Sequence, residues 1–147
     1  MRAGSGGVRV LGPRSSRVPF EVVEVTGPSM APTLLDGDRL LVRFGGGVRP
    51  GDIVVLRHPF QQDLLVVKRA AERRPGGWWV LGDNAFAGGD STDYGTVPED
   101  LVLATARLRY RPRGPGQSSL AARLSWAVSA LRPLFADASA SSRLRAR

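Results

Sequence analysis

Residues Gly51–Arg69 read GDIVVLRHPFQQDLLVVKR. Two apolar runs of strand length, 52–57 and 63–69, flank the polar turn Arg57-His58-Pro59-Phe60-Gln61-Gln62. β-Branched residues are frequent in both runs, and such side chains suit a pleated, half-buried surface. Similar runs lie on either side: FEVVEV (20–25), DRLLVR (38–43), GWWVLG (77–82) and LVLATARLRY (101–110). Asp36-Gly37, Gly45-Gly46-Gly47, Pro50-Gly51 and Pro75-Gly76-Gly77 separate them as turns. Strands this short and regularly spaced predict an antiparallel sheet system rather than βαβ units. The expected fold class is mostly β, with a short C-terminal helix.

The flanks differ in composition. Residues 1–17, rich in Gly, Arg and Ser, read as a flexible arm ahead of a domain spanning 18–112. Residues 111–117, RPRGPGQ, read as a linker. Leu120, Leu124, Val128, Leu131 and Phe135 recur every three or four residues, which predicts an amphipathic helix over 118–135. A disordered tail is expected beyond it.

A chain of 147 residues suffices for one ordinary domain. With no cysteine and one histidine, disulfides, thiolate zinc sites, cysteine nucleophiles and paired-histidine metal motifs are excluded. No cofactor is expected. The net charge is +8, which raises nucleic acid, anionic membrane or an acidic substrate as partners. The basic residues are 20 arginines and a single lysine, Lys68. Arginine is effectively never deprotonated, whereas lysine can be. A removable proton on a basic side chain must therefore come from Lys68 or His58. No apolar run approaches the length of a membrane span, and no apolar core follows the basic N-terminus as in a secretory signal. The default location is the cytoplasm, with peripheral membrane contact left open.

Three segments can carry chemistry. In Gly27-Pro28-Ser29-Met30-Ala31-Pro32-Thr33-Leu34, two prolines and a glycine stiffen the chain around one serine. This reads either as a positioned nucleophile or as a loop whose serine satisfies backbone groups. In Leu64–Arg69, alternation puts Lys68 on one strand face with Leu64 and Val66, and Arg69 on the other with Leu65 and Val67. Lys68 is either a base desolvated by an apolar face or a strand-end lysine reaching water. Taken together, the two segments supply the parts of a Ser-Lys dyad: a neutral amine takes the hydroxyl proton and the alkoxide attacks a carbonyl. His58 reads as a surface residue. In the third segment, Gly82-Asp83-Asn84 and Asp90-Ser91 are turn residues after the Trp78-Trp79 strand, and their spacing fits no common metal-ligand pattern. Trp78 and Trp79 point to opposite faces, one into the core and the other toward a groove.

Ser29-Met30-x-Pro32-Thr33-Leu34, Gly37-Asp38, Pro50-Gly51-Asp52-Ile53-Val54, Val67-Lys68-Arg69 and Gly82-Asp83-Asn84 with Asp90-Ser91 resemble, in order, the successive boxes of the type I signal peptidases. The resemblance covers roughly residues 24–110. It implies the antiparallel β fold that this family shares with LexA-type peptidases, with Ser29 as nucleophile and Lys68 as general base. It further implies supporting roles for Thr26, Gly27 and Met30 around the oxyanion, and for Asp83, Asn84, Asp90 and Ser91 on the lysine side. Within the family, the GPSMxPTL opening, the run Gly77–Phe86 and the lack of an anchor resemble the maturation peptidases of nickel-type superoxide dismutase. That branch implies a protein precursor as partner, the dismutase proenzyme, whose leader is removed without a metal in the peptidase. Three positions depart from the common pattern. Gly27 stands where many members have an oxyanion-hole serine, Gly88 where a serine contacts the lysine, and Thr92 where an arginine pairs with the aspartate.

Three rival readings compete with this one. The chain could be a signal peptidase acting at the membrane, with the 118–135 helix on an anionic surface. It could be a self-cleaving LexA-type repressor, for which the first 17 residues are too few to form a DNA-binding domain. It could instead be a basic nucleic-acid-binding module, although no aromatic-basic RNA signature appears and nucleic acid is not the expected partner.

Overall fold

A computed structural model describes residues 7–11, 18–112 and 131–145. Strands β4 (Ile53–His58) and β5 (Gln61–Arg74) form the hairpin read from residues 51–69, with Val54 opposite Lys68 and Ile53 opposite Arg69. His58 stands in its turn, where its Nδ1 accepts a hydrogen bond from the Phe60 amide. Around this hairpin lie β1 (Gly7–Val10), β2 (Phe20–Thr26), β3 (Arg39–Phe44), β6 (Gly77–Leu81), β7 (Val97–Pro98), β8 (Val102–Tyr110) and β9 (Leu131–Pro133). The described residues form one antiparallel sheet in the order β1-β2-β3-β8-β4-β5-β6-β7, with β9 on β8. Gly7 also pairs with Val66 of β5, so β1 closes the first six strands of that order into a barrel. Beyond it, the long β5 continues as a ribbon with β6. The fold class read from the sequence is the one observed.

The period-two pattern sorts the hairpin into two cores. Val23, Val25, Met30, Leu40, Val42, Ile53, Val55 and Val67 fill the barrel. Val54, Leu56, Val66, Ala70, Trp78, Val80 and Val97 pack on its outer side, beneath the β6–β7 ribbon. Because both faces of β4 are covered, its apolar run is nearly unbroken. Trp78 is buried, whereas Trp79 faces the other way, is half-buried and stacks under the Arg74 guanidinium at 3.9 Å.

The flanks require three corrections. Within the expected flexible arm, Gly7–Val10 is strand β1, held because Val8 and Val10 pack on the barrel core; residues 1–6 and 12–17 lie outside the described residues. Of the helix expected over 118–135, residues 118–130 lie outside the described residues. Its last part is extended, because Leu131–Pro133 pairs with β8. The tail expected to be disordered contains helix α2 (Ala138–Arg145), whose Ala140 and Ser141 are buried against the barrel. Asp137 starts α2 by accepting from the Ala140 amide. Among the described residues, no helix is long and apolar enough to cross a membrane.

Candidate active site

Ser29 lies in the tight turn after β2. Gly27 has φ +84°, a left-handed backbone that disfavours any other residue, and its amide donates to Asp36 Oδ1 at 2.8 Å. The Ala31 amide donates to the Pro28 carbonyl and the Leu34 amide to the Met30 carbonyl, while Met30 and Leu34 anchor the turn in the barrel core. Ser29 is 1% exposed, and its Oγ is buried without a hydrogen-bond partner among the described residues. A buried hydroxyl left unpaired costs about 1–3 kcal/mol, so such atoms are rare in folded proteins.

Lys68 is fully buried on the β5 face it shares with Val66 and Ala70. Burial pushes its ammonium down from the ordinary 10.5 to about 8, against the opposing pull of Asp90 and Asp93. Its Nζ donates to the Gly88 carbonyl at 3.5 Å. Gly82 is the seam between the two segments. A Cβ added there would stand 2.7 Å from the Ser29 carbonyl oxygen and 3.7 Å from Lys68 Nζ. The structure thus brings the serine turn and the lysine to the same point.

The Gly82–Ser91 segment locks both sides. The Asn84 amide donates to the Ser29 carbonyl at 3.0 Å and its side-chain amide to the Pro28 carbonyl at 3.1 Å. Asp83 accepts the Thr33 hydroxyl at 2.5 Å and a bidentate pair from Arg69 at 2.8 and 2.7 Å. Asp90 caps the short helix α1 (Ser91–Tyr94) and accepts from the Gly82 amide at 3.1 Å, while the Ser91 hydroxyl accepts from the Val80 amide at 2.8 Å. Thr26 ends β2 with its Oγ1 against Gly7.

Two of the departures have local substitutes. Gly88 offers a backbone carbonyl to Lys68 where a serine hydroxyl is common, at a φ of +65° that a serine would adopt only under strain. Thr92 gives Asp90 both its amide and its hydroxyl, at 3.0 and 2.6 Å, in place of a guanidinium. Sequence reading missed the role of Arg69. This residue is 4% exposed and also donates to the Gly51 carbonyl at 2.8 Å. Its signal was present: on alternation, Arg69 faces away from Lys68 into an apolar interior, where a cation needs a carboxylate. Among the described residues, no group of three or more His, Asp or Glu side chains is arranged to hold a metal ion.

The family model and the relatives that match this chain, with its closed antiparallel barrel, make it a signal-peptidase-like serine protease. The chain belongs to the Peptidase S24-like family, whose model matches residues 16–90. It is 32% identical over 126 residues to the mitochondrial ATP-independent inner membrane protease subunit 1a of Arabidopsis thaliana, covering 67% of this chain and 74% of the relative. Mitochondrial inner membrane protease subunit 1 of Schizosaccharomyces pombe is 30% identical over 69% of this chain and 80% of its own length. The Xenopus tropicalis subunit 1 is 32% identical over 63% and 70%. No solved structure matches significantly.

Proposed function

We propose that this protein is a Ser-Lys endopeptidase that removes the N-terminal leader of a protein precursor. The observation that carries the reading is the meeting, around Gly82, of the Ser29 turn, whose hydroxyl has no hydrogen-bond partner among the described residues, and the buried Lys68 amine. With its affinity for protons lowered to about 8, the lysine is partly neutral near neutral pH. The neutral Nζ takes the Ser29 hydroxyl proton while Oγ attacks the scissile carbonyl carbon. The ammonium then gives that proton to the leaving amine as the C–N bond breaks, leaving an acyl-enzyme ester. Lys68 next activates a water that hydrolyses the ester and regenerates Ser29. The Ser29 backbone N–H serves the oxyanion, since Gly27 brings no hydroxyl. Thr26, Gly27 and Met30 shape that turn, and Asp83, Asn84, Asp90 and Ser91 hold the lysine side. The substrate binds extended, as an added strand.

The proposed substrate is the nickel superoxide dismutase proenzyme, in the cytoplasm. The GPSMxPTL opening and the Gly77–Phe86 run support this choice. A second reading, cleavage of precursors at a membrane surface, draws on the relatives named as inner membrane proteases and on Phe86, 99% exposed two residues beyond Asn84.

The test is incubation of purified nickel superoxide dismutase proenzyme with wild type, Ser29→Ala and Lys68→Ala, read by mass spectrometry. Cleavage at one site by wild type alone is expected. Cleavage that survives either substitution sinks the dyad. An inert soluble proenzyme, alongside cleavage of a vesicle-bound precursor, moves the substrate to the membrane.

A further inference from the structure

Lys68 and Arg69 are followed by an irregularity. Pairing of β5 with β6 slips between Ala70 and Glu72, so Ala71 is an extra residue in the ladder. Such bulges re-aim neighbouring side chains and need an outside partner for the backbone groups they release. Here the partner comes from the C-terminal helix. The Ser141 hydroxyl, fully buried, donates to the Ala71 carbonyl.

A second contact stands beside it. The Asp137 amide donates to the Gly51 carbonyl, which also receives Arg69 Nη1. The Gly51 amide in turn donates to the Ala70 carbonyl at 2.7 Å. Gly51 has φ +98°, and a Cβ there would fall 2.4 Å from the Asp137 backbone. The β3–β4 turn and the start of α2 are therefore fitted to each other through a glycine. Leu144, further along α2, lines the groove that also holds Trp79, Gly88 and Asp90.

We infer that α2 is a clamp for the catalytic lysine: Ser141 and Asp137 are positioning residues that fix the Ala71 bulge and the Gly51 turn, and so fix where β5 presents Lys68. This rests on the Ser-Lys reading above. The clamp grips the backbone of β5 at Ala71 and of the Gly51 turn, so it acts on the base through the strand.

The test uses the full chain with Ser141→Ala, Ser141→Thr as the conservative variant and Ser142→Ala as a control on the exposed side of the same helix. Two readouts are taken. One is kcat and KM for proenzyme cleavage across pH, including the alkaline-going limb set by Lys68 with Asp90 and Asp93 facing it. The other is amide hydrogen exchange at Gly51 and Ala70. Ser141→Ala is expected to lower kcat about tenfold at little-changed KM, because small misplacements of a reacting group are costly. It should also move the limb to higher pH as water reaches Lys68, and speed exchange at Gly51 and Ala70 but not in β2 and β3. Ser141→Thr should restore all three, and Ser142→Ala should change none. Unchanged exchange and unchanged kcat in Ser141→Ala overturn the clamp. If Ser29→Ala still cleaves, the dyad falls instead, and the exchange result alone decides whether α2 holds the bulge. If Ser141→Ala fails to fold, Ser141→Thr decides: wild-type exchange with lowered kcat overturns the inference.

Discussion

Thr92 and Asp90 form a closed local unit. The Thr92 amide and hydroxyl both donate to Asp90 Oδ1, which leaves Oδ2 for the Gly82 amide. One carboxylate thus ties α1 to the seam between Ser29 and Lys68. Thr92→Val keeps the shape and the amide but removes the hydroxyl. We expect kcat to fall several-fold and Thr92→Ser to recover most of it. A steady-state comparison of the three proteins checks this, and equal kcat in Thr92→Val would show that the amide alone suffices.

In the proposed dyad, Lys68 serves chemistry at the expense of stability. Its folded value of about 8 lies below the unfolded 10.5, so between these pH values the unfolded chain binds more protons and stability rises with pH. Below about 8 the wild type carries the whole cost of a buried charge. Lys68→Met should therefore abolish cleavage yet raise unfolding stability at pH 7 by about 1–3 kcal/mol. Denaturant titrations at pH 7 and pH 10.5 should show the gain shrinking at the higher pH. A less stable Lys68→Met at pH 7 would contradict this.

Asp93 gives the same lysine a signed test. Its carboxylate raises the Lys68 value, and its Oδ2 accepts the Gly89 amide at 2.6 Å. Asparagine keeps an acceptor oxygen and removes the charge. In Asp93→Asn the lysine loses its proton more readily, so the rising limb of kcat against pH should move down by a few tenths of a unit. Movement to higher pH would mean that the limb belongs to another group.

The sheet was legible because its side chains alternate. The six apolar runs are strands β2 to β6 and β8, and alternation along Leu64–Arg69 correctly separated Lys68 from Arg69. The parts that escaped reading lack a pattern of their own. Gly7–Val10 is strand only because β2 and β5 offer it edges, and Leu131–Pro133 only because β8 does. Helix α2 is small and polar, and it is ordered by a bulge carbonyl and a glycine turn that are remote in sequence. At the site, the serine turn and the lysine were readable from local stiffness and from the scarcity of lysine. Their meeting at Gly82 was not readable from spacing, because it depends on two loops converging across the barrel.

Arg69 is the hinge pin between those loops. Its guanidinium grips Asp83 through two bonds, and Asp83 in turn holds Thr33, four residues beyond Ser29. Arg69→Met leaves the Asp83 carboxylate without its cation at a site where Arg69 is 4% and Asp83 10% exposed. Breaking one side of a buried pair costs about 3 kcal/mol, so thermal unfolding should shift sharply downward. Arg69→Lys should rescue little, because an ammonium cannot reproduce the planar fork. Near-wild-type stability in Arg69→Met would show the pair to be dispensable.

Gly82→Ala tests the seam with a single methyl group. The added Cβ would stand 2.7 Å from the Ser29 carbonyl oxygen, a backbone atom that cannot swing aside like a side-chain tip. That carbonyl is already held by the Asn84 amide, and the Gly82 amide is held by Asp90. Relief must come from moving the Ser29 turn away from the 82–90 segment, which widens the gap between Ser29 and Lys68. The barrel core need not move, since Met30 and Leu34 anchor the turn from its other side. The expected result is a folded protein whose kcat falls about a hundredfold, the scale of an ångström-sized misplacement of reacting groups. Cleavage assays together with a thermal melt check it. Wild-type kcat in Gly82→Ala would mean that the serine and the lysine do not react across this glycine.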